Sequence, residues 1–187
     1  MLKKDMTIED IDKELAGKGD FVQIDYMTRF LKEETNPEIK KYVSIKLSDV
    51  YQKRGMFSEA AKIYEMTGEF SKSYADQTRY YVIAAELYVK AEMYYPADEC
   101  IRKALRETTV RQQNEIYKKM NDLYISQAEM YEKARRRNNA MKIYEKLLTM
   151  DISNEQKEDI KKKLLELYES LGKVREYYML KGKMGKV

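Results

Sequence analysis

The stretch YQKRGMFSEAAKIY, Tyr51 to Tyr64, decides the fold. A tyrosine is followed four residues on by Gly55, then by Phe57, by Ala60 and by a second tyrosine. Gly55 sits where a helix should stop, because glycine takes the left-handed conformation of a helix terminus at no steric cost. On either side of it the apolar residues recur at helical spacing. The segment reads as one helix ending, a short turn, and a second helix starting.

The chain writes this segment four times. Its anchors are Tyr51, Tyr88, Tyr131 and Tyr168, which lie 37, 43 and 37 residues apart. Three residues before each stands Ser48, Ala85, Ala128 or Leu165, and nine after each stands Ala60, Ala97, Ala140 or Tyr177. Six after come Phe57, Tyr94, Arg137 and Val174, and thirteen after come Tyr64, Ile101, Tyr144 and Lys181. Small residues on both helices allow close approach, and the bulky ring beyond fills the space where the helices diverge. One hairpin cannot bury its apolar face alone, so neighbouring copies must stack into a continuous core.

This pattern resembles the tetratricopeptide repeat over roughly residues 37–181. Leu47, Ser48, Tyr51, Gly55, Phe57, Ala60 and Tyr64 match the family's positions in the first copy. Ala84, Ala85, Tyr88, Tyr94, Pro96, Ala97, Ile101 and Ala104 match in the second, with Glu92 where glycine is usual. The third keeps Ala128, Tyr131, Ala140 and Tyr144, but has Gln127 for a leucine and Arg135 for the glycine. The fourth keeps Leu164, Tyr168 and Gly172, then departs as a solvent-facing terminal unit should. The spacings exceed the family's usual period of roughly 34 residues, which implies lengthened helices. The resemblance implies an all-α, right-handed α-solenoid of antiparallel helix hairpins that binds partners without catalysis.

Terminus signals place the elements. Asn36-Pro37 is a helix start, with a capping side chain followed by proline at the first helical residue. Thr109 with Gln112 and Ser153 with Gln156 have capping-box spacing. Gly55, Gly68 and Gly172 read as stops. About ten helices result, near 7–16, 20–34, 37–54, 58–67, 71–92, 96–107, 110–135, 138–149, 154–171 and 174–183. No linker or low-complexity tract interrupts them, so residues 1–187 read as a single domain. It comprises an N-terminal hairpin at 7–35 and repeats at about 37–70, 71–108, 109–150 and 153–183. In that first hairpin Phe21, Ile24 and Leu31 are expected to face inward, and residues 182–187 are expected to fray.

Composition narrows the chemistry. The 187 residues are 36% charged, with seven glycines and two prolines, which favours long helices over a sheet protein. Net charge is +4, from 36 basic against 32 acidic side chains, too mild to indicate nucleic acid by itself. Histidine is absent and Cys100 is the single cysteine. That removes the commonest general base and metal ligand, puts a zinc site of the usual type out of reach, and excludes an internal disulfide. No glycine-rich phosphate loop occurs. The start MLKKDMTIED lacks an apolar signal stretch, and nowhere do about eighteen apolar residues run together. These features predict a cytoplasmic, non-enzymatic protein with no cofactor and no metal. Cys100 has no cation or histidine near it in sequence to activate the thiol, so it is expected to pack.

The candidate site follows from helical geometry. Each tyrosine and the residues three, four and seven before it face the core. The residue two before lies roughly 100° or more around the helix, on the open side of the first helix. It is Asp49, Glu86, Glu129 and Glu166 in turn, an acid in every repeat. The residue after the tyrosine lies nearby and is Gln52, Val89, Glu132 or Glu169. Six before it come Ile45, Val82, Ile125 and Lys162. An acidic strip beside an apolar one would accept a basic, partly hydrophobic peptide or helix. The plainer alternative is that these acids merely solvate an exposed face. Some members of the family clamp the C-terminal carboxylate of heat-shock chaperones with basic and asparagine side chains. Here Asp49, Glu86 and Ile45 occupy those slots and leave no donors for a carboxylate. The basic turn KARRRNN, with Arg135, Arg136 and Arg137, is the candidate phosphate contact of an alternative reading, a nucleic-acid-associated repeat protein. Exposed rings on a terminal hairpin leave self-association open.

Overall fold

Asn36 and Pro37 start a helix as their chemistry requires: the Asn36 side-chain oxygen accepts the Glu38 backbone N–H at 3.0 Å. The computed structural model describes residues 1–33 and 36–184, apart from the Lys183 side chain. Its elements are ten helices: α1 (Ile8–Leu15), α2 (Asp20–Glu33), α3 (Pro37–Lys53), α4 (Phe57–Phe70), α5 (Tyr74–Lys90), α6 (Tyr94–Leu105), α7 (Val110–Lys133), α8 (Arg137–Leu147), α9 (Asn154–Ser170) and α10 (Val174–Met184). The described residues include no strand. The expected ends at residues 34 and 35, and the fraying at 185–187, lie outside the described residues.

The recurring tyrosine closes a turn with its backbone. The carbonyls of Tyr51, Tyr88, Tyr131 and Tyr168 accept the N–H groups of Met56, Met93, Arg136 and Lys173 at 2.8–2.9 Å. A second bond runs one step inside each, from Gly55, Glu92, Arg135 and Gly172 to the residue after the tyrosine. That pair of bonds is the Schellman arrangement, and it needs a left-handed residue four positions past the tyrosine. Gly55 and Gly172 supply it at φ 72° and 68°. Glu92 and Arg135 are forced into the same conformation at 61° and 58°. This is why the tyrosine-to-glycine spacing returns even where the glycine does not.

Backbone packing divides the chain into two compact units, Met1–Thr109 and the remainder from Val110 on. In the first unit α1, α2 and α3 enclose Ile11, Leu15, Met27, Phe30, Val43, Leu47 and Val50. From there α3 packs on α4, α4 on α5 and α5 on α6. The core face is the one the spacing predicts. Ser44, Leu47 and Ser48 before Tyr51 are buried, as are Tyr81, Ala84 and Ala85 before Tyr88. In the second unit α7 packs on α8, α8 on α9 and α9 on α10. Tyr124, Gln127, Ala128 and Tyr131 of α7 are buried, with Ala140, Ile143, Tyr144 and Leu147 of α8 against them.

Three expectations need correction. Gly68 does not end its helix. It is buried inside α4, where a Cβ would lie 2.9 Å from the Tyr81 ring, so the glycine lets α5 approach. As a result α4 continues to Phe70 and α5 starts at Tyr74 rather than near 71. Phe21 does not face inward. It is 69% exposed, with the Arg54 guanidinium stacked 3.9 Å from its ring centroid, while Met27, Phe30 and Leu31 form the buried stripe of α2. The Ser153–Gln156 capping box forms at 3.1 Å in both directions. A further one, Thr7 with Asp10, opens α1.

Candidate functional site

In the second unit the apolar and acidic positions two and six residues before the tyrosine converge on one groove. Ile125 and Glu129 come from α7, Glu166 from α9, and the groove encloses about 520 Å³. Ile160 and Tyr144 complete its apolar floor, and Asp159, Lys162 and Gln156 lie along its side. Register explains the convergence. Ile125 and Glu129 are one helical turn apart, as are Lys162 and Glu166, so each first helix turns the same edge to the groove.

The acids of this groove are not equivalent. The Lys163 ammonium lies 3.1 Å from Glu129 and 3.6 Å from Glu132, and also donates to the Tyr144 hydroxyl at 3.1 Å. That hydroxyl in turn donates to Glu132 at 2.6 Å. Burial works against the Lys163 charge, but its bonds to Tyr144 and Glu129 outweigh it and raise the ammonium's pKa. Burial, then the hydrogen bond to Glu132, raises that of Tyr144. Glu129 and Glu132 are thus half-buried and carry an internal counter-ion. Glu166 and Glu169 are exposed.

The same register positions in the first unit are arranged differently. Asp49 is exposed, Ile45 and Glu86 are half-buried, and Val82 is 93% covered because the ring-rich face of α5 packs into its unit. The expectation of an open apolar strip therefore fails at Val82, and Val89 after Tyr88 is fully buried. The Tyr64 hydroxyl is held protonated, chiefly by burial and then by the nearby Asp49 charge.

The sequence reading gave Tyr144 only a packing position in the repeat, and Ile160 and Lys163 escaped it. Lys161–Lys163 reads as a run of like charges among acids, and nothing local says which lysine turns inward. The basic turn is exposed at Arg135, Arg136 and Arg137, with the Arg136 guanidinium 4.6 Å from the Tyr131 ring centroid. Cys100 is buried, and burial, with the Glu65 charge adding to it, pushes its thiol up to about 12. Among the described residues no group of His, Cys, Asp or Glu is placed to hold a metal ion. No helix there is long and apolar enough to cross a membrane.

Residues 123–158 match the tetratricopeptide repeat family. The match starts inside α7, consistent with a first helix longer than the family's own. No curated protein sequence matches the chain. Among solved structures, the crystal structure of MamA is 18% identical, covers 97% of this chain and 96% of its own, and superposes with a TM-score of 0.39. The crystal structure of BtubC (BKLC) from P. vanneervenii is 14% identical over 96% of this chain and 82% of its own, with a TM-score of 0.36. With one segment, residues 123–158, matching the tetratricopeptide repeat and the same turn closed four times along the chain, this is an all-α helical repeat protein that resembles that family.

Proposed function

We propose that the chain is a non-catalytic interaction adaptor whose α7–α9 groove takes a peptide or helix that is basic and partly apolar. The observation that carries this reading is the placement of Ile125, Ile160 and Tyr144 beside Glu166 and Asp159 in one open groove. An aliphatic or aromatic anchor would displace water from the floor, and a lysine or arginine one turn away would meet Glu166. Because Lys163 already satisfies Glu129 and Glu132, the edge at Glu166 and Glu169 carries the attraction. Asp49 extends the same preference to the first unit.

The test uses three amphipathic peptides of matched apolar content whose polar positions are lysine/arginine, aspartate/glutamate or serine/glutamine. Fluorescence anisotropy should rank the basic peptide first, with binding weakened by salt. Glu166→Lys should reduce its affinity roughly tenfold. Equal binding of the three, or tighter binding of the acidic one, would overturn the reading. Salt-dependent retention of an oligonucleotide pool, lost on replacing Arg135, Arg136 and Arg137 by alanine, would favour the nucleic-acid alternative instead.

A further inference from the structure

We infer that the α7–α9 groove runs on past Gln156 into a second pocket, which takes an arginine side chain of the partner. Gln156 lines both cavities. The second encloses about 270 Å³ between α7 and the segment leading into α9, and its wall includes Tyr117, Lys118, Asn121, Asp122, Asp151 and Ile152. Lys118, Asn121, Ile125 and Glu129 follow one another along α7 at steps of three and four, so one edge of that helix serves both cavities. Asn121 lies one turn, about 6 Å, from Ile125 in the apolar floor. The inference rests on the groove reading above only for the partner that carries the arginine; the chemistry of the pocket is its own.

Asn121 shows what kind of group fits. Its side chain is 7% exposed, and its Nδ2 donates to the Asp151 carbonyl at 2.8 Å. That bond fixes the orientation of the amide, because a flipped one would set two acceptor oxygens against each other. The Oδ1 is left as a buried acceptor to which no described residue donates. Such an acceptor is costly until a donor reaches it. Around it the exposed carboxylates of Asp122 and Asp151 stand against the one ammonium of Lys118, itself exposed on a flexible stem. An anion finds little here, since the Ser153 and Gln156 N–H groups at the start of α9 bond to each other's side chains at 3.1 Å. The wall therefore selects a cation rich in N–H donors. A guanidinium carries five in one plane and stacks on an aromatic face such as that of Tyr117, which is 40% exposed. An ammonium offers three from a single point.

The experiment is a proton–nitrogen correlation titration of the full chain with N-acetyl-arginine amide, its lysine analogue and the uncharged norvaline analogue. The arginine compound should give saturable, salt-sensitive shifts at the Asn121 side-chain amide and at the Tyr117 and Ile152 backbones. The lysine compound should bind about fivefold more weakly and the norvaline compound should shift none of them. Asp122→Asn with Asp151→Asn should weaken the arginine compound roughly fivefold at unchanged helical content, and Lys118→Met should strengthen it about twofold. No saturable shift, equal shifts from all three compounds, or shifts indifferent to the paired Asn variant would each overturn the inference. If the basic amphipathic peptide binds in a Glu166-dependent way while the arginine compound does not, the second pocket fails and the groove reading stands. The opposite pattern supports the pocket and removes the groove reading.

Discussion

The Tyr168 hydroxyl donates to the Glu145 carboxylate at 2.9 Å, tying the first helix of one hairpin to the second helix of the hairpin before it. Tyr88 makes the same bond to Glu65, also at 2.9 Å, in the other unit. Each of these tyrosines therefore serves twice: its carbonyl closes the turn that follows, and its ring and hydroxyl join it to the preceding hairpin. The second carboxylate is also held by Lys103, at 2.8 Å, so the contact in the first unit is a small network.

Removing either hydroxyl should cost stability without changing the fold. Tyr88→Phe and Tyr168→Phe are each expected to lose about 1.5–3 kcal/mol, the range for a hydrogen bond to a charged acceptor. Tyr51→Phe, at the half-buried first copy, should lose much less. Urea unfolding followed by circular dichroism measures all three.

Glycine at 68 and at 172 should respond to substitution for different reasons. Gly68→Ala drives a Cβ into the buried Tyr81 ring and should destabilise by roughly 1–3 kcal/mol, more than alanine's helix propensity returns. Gly172→Ala meets no neighbour but must hold φ 68°, at a cost of about 1–2 kcal/mol. Tyr81→Leu should relieve the first defect and leave the second untouched.

Arg135→Gly should stabilise the chain. The arginine is exposed and held at φ 58° by the turn closing on Tyr131, so glycine relieves roughly 1 kcal/mol of backbone strain. A higher melting temperature would confirm it, and an unchanged or lower one would count against the strain.

Alkaline pH should unfold the protein over a definable window. Burial, followed by the carboxylates Glu65, Glu132 and Glu145, raises the pKa values of Tyr88, Tyr144 and Tyr168. Unfolded tyrosines release their protons near pH ~10. Their contribution to stability is thus complete below that pH and is lost as pH rises through the folded-state values. Lys103, held chiefly by its bond to Glu65, shifts in the same direction. A late rise in tyrosinate absorbance should coincide with loss of helical ellipticity, and stability should fall less steeply with pH in Tyr168→Phe, which releases one proton fewer on unfolding.

Lys163→Met should sharpen the proposed preference of the groove. It removes the counter-ion of Glu129 and Glu132 and leaves the floor more negative. Affinity for the basic peptide should rise several-fold, on the order of 1 kcal/mol, while stability falls slightly. Weaker binding of that peptide would place its contact elsewhere.

Taken alone, the order of the chain determined ten helices, their hairpin pairing and the face each first helix turns to the core. Those properties rest on interactions within a few residues, such as the Asn36 cap, the left-handed position after each tyrosine and the recurrence of apolar side chains every turn. Tertiary packing decided what the candidate positions are worth. Val82 is covered, Gly68 is a contact rather than a stop, and Glu129 is neutralised by Lys163 one hairpin away. None of these was legible in advance, because each depends on the separation of side chains far apart along the chain, and helical periodicity specifies direction around one helix but not what stands opposite it.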